Sequence, residues 1–299
     1  MRVYVHDVTG RDGVQSYDFV VSTRSKLIFA RDLAAAGVAS MEPGSFVSSK
    51  SGLYPKFLDN SDVLKGLDDV EIPKYWLAPS FGCCKKGVAA GAKSFGLVVS
   101  VNEEHERKNK GNASLDDGIR ESREIIKAAA KDGHTLRHYF STFFDYEHDG
   151  DTPPEQAREV VRRVLEDADS YTGRSPVVEL VVGDTFGRAD VGKLERIKAL
   201  REIPNLPPIA LHLHPQHYNW RDIVYPAVRE FGIQHIHGSV TGGGCPTDPH
   251  GDNPSILELV KDLESNGFDT GINLELLYRA DAYWRGVVDQ GCRVNLITS

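Results

Sequence analysis

The chain has 299 residues, 40% of them hydrophobic and 26% charged, with a net charge of −8. That is room for one large domain or two small ones of ordinary globular composition. The negative balance argues against a nucleic-acid partner, which calls for a basic patch, and gives no support for an anionic membrane surface. No apolar stretch reaches the ~18 residues needed to span a bilayer. Met1-Arg2-Val3-Tyr4-Val5-His6 enters a strand-like pattern without the charged and apolar regions of a signal peptide. Four cysteines, two of them adjacent (Cys83, Cys84), make no disulfide framework. A reducing cytoplasm is the expectation.

Along the chain, apolar β-rich runs alternate with helical patterns. Strands are predicted at Val3–Val5, Ser40–Glu42, Tyr75–Ala78, Gly96–Val101, Arg137–Phe140, Val177–Val182, Ile209–His214 and Ile233–His237. Helices are predicted at Ser25–Ala36, where Leu27, Ala30 and Ala34 recur at helical spacing, and at Leu115–Lys131, where Leu115, Ile119, Ile126 and Ala130 share a face. Thr152, Pro153 and Glu155 read as a capping box opening the next helix, with proline first and Val161, Val164, Leu165 and Ala168 as its stripe. Further helices are predicted at Val191–Arg201, Arg221–Glu230, Ser255–Glu264 and Asn273–Val288. The charged run 102–112 reads as a solvated loop. Eight strand–helix repeats without a linker predict a single α/β domain, residues 1–299, folded as a (β/α)8 TIM barrel; an open doubly wound sheet has the same pattern.

Barrel sites stand at the C-terminal ends of the strands, and ionisable residues gather there. Arg11 and Asp12 follow the first strand, Glu42 ends the second, Asp184 follows the sixth, and His212 and His214 end the seventh. Residues two apart on a strand face the same way, so the two imidazoles project together, half of a metal site or two satisfied histidines. With Asp12 and the amide oxygen of Asn253 the shell is mostly oxygen once waters are added. That suits Mg²⁺ or Mn²⁺ better than closed tetrahedral zinc, with other divalent ions still open. Arg11, beside Asp12, is suited to stabilising an oxyanion such as an enolate, or to an ion pair with Glu42 or Asp184. Cys245 follows three glycines, in a loop able to close and deliver a thiol, or in a plain tight turn. Cys83, Cys84 and Cys292 read as structural.

At these residues the chain resembles the metal-dependent carbon–carbon lyases and Claisen-condensing enzymes built on a pyruvate-carboxyltransferase-like barrel, and among them the 3-hydroxy-3-methylglutaryl-CoA lyases. The stretches that carry the resemblance run from Gly10-Arg11-Asp12-Gly13-Val14-Gln15 and Glu42 with Ser45-Phe46-Val47-Ser48, through Val88–Lys93, Lys108-Asn109, Asn112 and Ser114. They continue with Gly183-Asp184-Thr185, His212-Leu213-His214, Ser239-Val240, Gly244-Cys245-Pro246 and Asn253. The resemblance implies metal ligands Asp12, His212, His214 and Asn253, Arg11 as enolate stabiliser, Glu42 and Asp184 ordering the site, and Cys245 in proton transfer from a mobile loop. It implies a small-molecule substrate, an acyl-CoA or hydroxy acid, and a homodimer by analogy.

The chain departs from that pattern at several places. Pro215 follows the second histidine where the family has aspartate, the glycine loop is shorter, Ser16-Tyr17 follows Gln15, Asp145–Asp151 is acidic, and Gly291–Asn295 lacks the family's coenzyme A segment. The expected activity is retro-Claisen or retro-aldol cleavage to acetyl-CoA and acetoacetate. His212 or a metal-bound hydroxide takes the substrate's hydroxyl proton, and Cys245 or water protonates the enolate. A related lyase or condensing enzyme acting on another hydroxy acid or thioester is the alternative, and a non-catalytic metal-binding barrel the third.

Overall fold

The computed structural model describes residues 1–146, 150–168, 175–215, 218–240, 242 and 252–298, with side chains of the last helix described to 293. Among the described residues there are ten strands: β1 Tyr4–Asp7, β2 Ser40–Ser45, β3 Lys74–Leu77, β4 Ser94–Ser100, β5 Thr135–Ser141, β6 Asp145–Tyr146, β7 Gly150–Asp151, β8 Val177–Gly183, β9 Ile209–His212 and β10 His235–Gly238. Eight of them close into a barrel in the order β1-β2-β3-β4-β5-β8-β9-β10, and β6 and β7 pair antiparallel in a separate two-stranded sheet. The α-helices are α1 Thr23–Ala36, α2 Asn60–Gly66, α3 Phe81–Ala90, α4 Glu103–Lys110, α5 Leu115–Asp132, α6 Pro154–Leu165, α7 Glu195–Leu200, α8 Trp220–Arg229, α9 Ile256–Ser265 and α10 Leu274–Thr298. The fold is the expected (β/α)8 barrel. By internal contacts the chain divides into two compact units, 1–77 with 236–299, and 78–235.

In the first unit, β1 pairs in parallel with β2 (His6 with Ser40, Asp7 with Met41), and β2 with β3 (Met41 with Lys74, Gly44 with Trp76). Residues in β2 are all buried, because both faces of a barrel strand are covered. Helix α1 starts at Ser22, whose hydroxyl accepts from the Ser25 amide, and stops at Gly37 in the left-handed region. It packs on α10 through Phe29 and Trp284, ring centroids 4.3 Å apart. Gly10 has a steric reason: a Cβ there would lie 2.9 Å from the Glu42 carbonyl oxygen. Only glycine lets the turn carrying Arg11 and Asp12 lie against β2.

In the second unit, β4 and β5 pair residue for residue from Ser94–Thr135 to Ser100–Ser141, and β8 with β9 from Leu180–Ile209 to Gly183–His212. Tyr139, Val181 and Ala210 on these strands form a buried cluster. Helix α5 is held by its ends and its face. Ser114 caps the start, Gly133 ends it in the left-handed region, and Ile119, Ile125, Ile126 and Ala129 are buried.

Several local expectations change. The run 102–112 is no loop but contains α4. The Asn102 side chain accepts from the His105 amide, three glutamates occupy the first turn, and Arg107, Lys108 and Lys110 the last. That order opposes the helix dipole at both ends, so the charges build the helix without an apolar stripe. The Thr152 capping box does not form. Pro153 is the N-cap residue and the Thr152 hydroxyl donates instead to the Thr142 carbonyl, 2.7 Å away. Strand β9 ends at His212, two residues short of the expectation, and β10 starts two residues later than Ile233. Helices α2 and α3 were not anticipated. Cys83 and Cys84 are buried as expected, whereas Cys292 is exposed, so no packing role falls to it.

Candidate active site

The first unit holds a string of buried polar groups after β1 and β2. The amides of Arg11, Asp12 and Gly13 all turn back on the Val8 carbonyl, at 3.2, 2.7 and 3.2 Å, which makes a tight turn directly after the strand. The Arg11 guanidinium lies inside this turn. Its Nε donates to Glu42 Oε2 at 2.6 Å, and Nη1 donates to Asp12 Oδ1. Asp12 Oδ2 in turn accepts from Asn253 Nδ2 at 2.7 Å. Arg11, Asp12, Glu42 and Asn253 are each 5% exposed or less. Of the two ion-pair partners open to Arg11 in the sequence, Glu42 is one the structure supplies.

A support lies beneath this string. Thr9 Oγ1 donates to Asp7 Oδ1 at 2.5 Å and accepts from the Val240 amide at 2.8 Å. Burial pushes the Asp7 carboxyl up to about 7, the Thr9 bonds oppose that rise, and Glu42 adds to it. A protonated Asp7 is neutral in the wall of the barrel, where a second free carboxylate near Glu42 is disfavoured.

The second unit carries the histidines. His212 ends β9 and His214 follows two residues on, both buried. Their Nε2 atoms lie 3.1 Å apart with the rings at 89°. Two ligands at right angles around one octahedral ion, each about 2.1 Å from it, are about 3.0 Å apart. The pair therefore has the spacing of neighbouring ligands on one cation, and the donor set fits a divalent metal. Tyr139 meets the His212 ring edge-on, centroids 5.5 Å apart.

Asp184 follows β8 and is fully occupied. Its amide donates to the His212 carbonyl at 2.9 Å. Oδ1 accepts from the amides of Arg188 and Ala189 at 2.9 and 3.0 Å, and Oδ2 accepts from the Tyr218 hydroxyl. Burial raises its carboxyl to about 6, against the Tyr218 and Arg188 bonds. Burial, and after it Asp184, pushes the Tyr218 phenol up.

The structure thus gathers Arg11, Asp12, Glu42 and Asn253 in one unit, and His212, His214 and Asp184 in the other. Cys245 lies outside the described residues. Sequence reasoning missed Tyr218, whose only signal was an aromatic residue in the polar stretch between His214 and the helix start. It also missed Asp7 and Thr9, which looked like ordinary residues at a strand end.

A closed parallel barrel with ionisable groups collected after its strand ends defines the class, a (β/α)8-barrel enzyme. Residues 2–283 match the family described as HMGL-like; the chain belongs to that family and is an enzyme of the carbon–carbon lyase class. It is 31% identical to the mitochondrial hydroxymethylglutaryl-CoA lyase of Bos taurus over 287 residues, covering 94% of this chain and 84% of that protein. To the cytoplasmic 3-hydroxy-3-methylglutaryl-CoA lyase of Homo sapiens it is 28% identical, covering 91% and 71%. Among solved structures, the HMG-CoA lyase of Brucella melitensis superposes with a TM-score of 0.85 at 26% identity, covering 96% of this chain and 99% of that one. Among the described residues, no helix is long and apolar enough to cross a membrane.

Proposed function

We propose that the chain is a divalent-metal-dependent carbon–carbon lyase that cleaves 3-hydroxy-3-methylglutaryl-CoA, or a close 3-hydroxy-acyl thioester, by retro-Claisen or retro-aldol chemistry. The observation that carries this reading is the buried Arg11, held by Glu42 and lying against Asp12. A guanidinium fixed in that way pre-pays the ordering needed to stabilise an enolate oxygen. The names of the relatives support the substrate class.

Asp12, His212, His214 and Asn253 would hold the ion, Mg²⁺ or Mn²⁺. Asp12 follows β1, His212 ends β9 with His214 two residues on, and Asn253 follows β10; in a parallel barrel the C-terminal strand ends are where ligands gather. When bound, the ion supplies Lewis-acid polarisation of the substrate's oxygens. Arg11 then takes up the charge that develops on the enolate as the carbon–carbon bond breaks. Glu42 keeps the guanidinium in place, and Asp184 braces the loop that carries the histidines. A base role for His212 falls to Nδ1 if Nε2 goes to the ion. Cys245 is assigned the protonation of the enolate on the sequence alone. The whole chain acting as one catalytic domain, in the cytoplasm and as a homodimer, belongs to the same proposal; the relatives carry both mitochondrial and cytoplasmic names.

The acidic segment Asp145–Asp151, which departs from the family's pattern, is the reason the test includes other substrates. The two short strands of this acidic stretch, β6 and β7, pair antiparallel, and Lys193 Nζ bonds Asp151 Oδ1 at 2.8 Å and the Arg188 carbonyl at 2.9 Å. The test is release of acetoacetate from 3-hydroxy-3-methylglutaryl-CoA with Mg²⁺ or Mn²⁺, run beside other 3-hydroxy-acyl-CoAs and the free hydroxy acids. Cleavage of a thioester supports the proposal, and cleavage of free acids alone moves the chain to the alternative substrate class. No turnover of any of them contradicts it.

A further inference from the structure

The turn that presents Arg11 and Asp12 continues into a short 3₁₀ helix, Gly13–Ser16, closed by the Tyr17 amide, which donates to the Val14 carbonyl at 3.3 Å. One side chain collects the carbonyls at this end. Lys56, from the 3₁₀ turn Tyr54–Phe57 that follows β2, sends its Nζ to the carbonyl oxygens of Val14 at 3.3 Å, Gln15 at 3.0 Å and Tyr17. All three hydrogens of one ammonium are spent on three carbonyls within the four-residue stretch Val14–Tyr17. Lys56 is itself anchored. Lys26 on α1, 4% exposed, donates to the Lys56 carbonyl at 2.8 Å and to Asp59 Oδ1 at 2.6 Å. Thr23 also donates to Asp59, through Oδ2 at 2.8 Å.

From this geometry we infer that Lys56 is a positioning residue for the reaction: it locks the 13–17 turn and so fixes where Arg11 and Asp12 stand. The carbonyl ends of the turn carry partial negative charge, and the ammonium is the complementary group there. No water or neutral side chain supplies three donors from one point. Without the lysine the turn keeps the bonds of its amides to the Val8, Thr9, Asp12 and Val14 carbonyls, and the carbonyls of Val14, Gln15 and Tyr17 lose the cation that ties them to the segment after β2. The residues it carries are the ones that need sub-ångström placement.

The inference rests on the assignment of Arg11 and Asp12 to the site, and its test separates the two. Three proteins are compared: wild type, Lys56→Met, which keeps the length and removes every donor, and Lys56→Arg, which restores several. Each is measured for Mn²⁺ affinity by calorimetry, for kcat and KM with 3-hydroxy-3-methylglutaryl-CoA, for thermal midpoint, and for amide hydrogen exchange in peptides covering residues 8–20. The expected result is a fall in kcat of about 10- to 100-fold in Lys56→Met, weaker Mn²⁺ binding, and faster exchange confined to that turn. Partial recovery in Lys56→Arg should accompany it. Wild-type kcat, Mn²⁺ affinity and exchange in a folded Lys56→Met protein would overturn the inference while leaving the lyase reading intact. A loss of midpoint with no change in kcat or metal affinity makes the lysine purely structural and overturns it equally. A wild-type protein that neither binds Mn²⁺ nor cleaves the thioester points to the lyase assignment, and the exchange data then judge the lock by themselves.

Discussion

Replacing Arg11 by methionine removes two things at once, and the structure says how to separate them. Arg11 is 5% exposed and pairs with Glu42, which is fully buried, and with Asp12, 1% exposed. Removing one member of a buried ion pair strands its partner and costs about 3–5 kcal/mol. For a chain of this size that is a midpoint lower by about 5–15 °C. Removing a group that stabilises a transition-state oxyanion costs about 10²–10³ in kcat, or about 3–4 kcal/mol of barrier. Arg11→Met is therefore expected to be both inactive and destabilised. The double variant Arg11→Met with Glu42→Gln neutralises one of the two stranded carboxylates and is expected to regain part of the midpoint and none of the turnover. Thermal unfolding and a coupled acetoacetate assay on the four proteins of that cycle decide it. If Glu42→Gln restores turnover in the Arg11→Met background, the arginine acts only as a structural counter-ion and its enolate role is wrong.

Three more outcomes follow from the same structure. Asp7 holds its proton to about 7 in the folded protein against 3.8 as a free group, so the folded state binds more protons between those values. That contribution is fully present below pH 4 and lost as pH rises through 7, with a ceiling of about 4 kcal/mol; Asp7→Asn should flatten this part of a stability–pH curve, and an unchanged slope would count against the protonated Asp7. His138 runs the other way: burial lowers it to about 3 from 6.5, so stability is present above pH 6.5 and drains as pH falls toward 3. Denaturant melts of His138→Phe should lose that acid limb, and a limb as steep as the wild type's would show another group is responsible. Tyr218→Phe strips one donor from Asp184 and should lower kcat by about tenfold, the worth of a hydrogen bond to a charged group; an unchanged kcat would mean that the two remaining donors on its carboxylate, the Arg188 and Ala189 amides, suffice.

The parts of the fold that repeat were legible in the sequence, because burial on both faces of a strand and an apolar stripe on a helix leave periodic marks. β8, Val-Val-Glu-Leu-Val-Val-Gly, and α5 are of this kind. Helix α4 was not legible, since it is built from caps and ordered charges rather than from apolar spacing. Asp12, Glu42, His212 and Asp184 stood out because ionisable residues directly after apolar strands are conspicuous. Tyr218 and Lys56 did not stand out. Each acts through a contact with a residue 34 or more positions away, and nothing local to a tyrosine or a surface-like lysine announces such a partner. The capping box at Thr152 misled for a related reason: its hydroxyl had a better use across the fold, at the Thr142 carbonyl.

The central claim is that one divalent ion, held by Asp12, His212, His214 and Asn253, works with Arg11 to cleave a 3-hydroxy-acyl thioester. The most direct measurement titrates Mn²⁺ into metal-stripped protein and reads bound ion and acetoacetate release in the same samples. The account predicts no cleavage from the stripped protein, cleavage that rises in proportion to occupancy and saturates at one ion per chain, and neither binding nor cleavage in a His212→Ala, His214→Ala double variant. Full turnover by the stripped protein, or tight Mn²⁺ binding that survives the loss of both histidines, would contradict it.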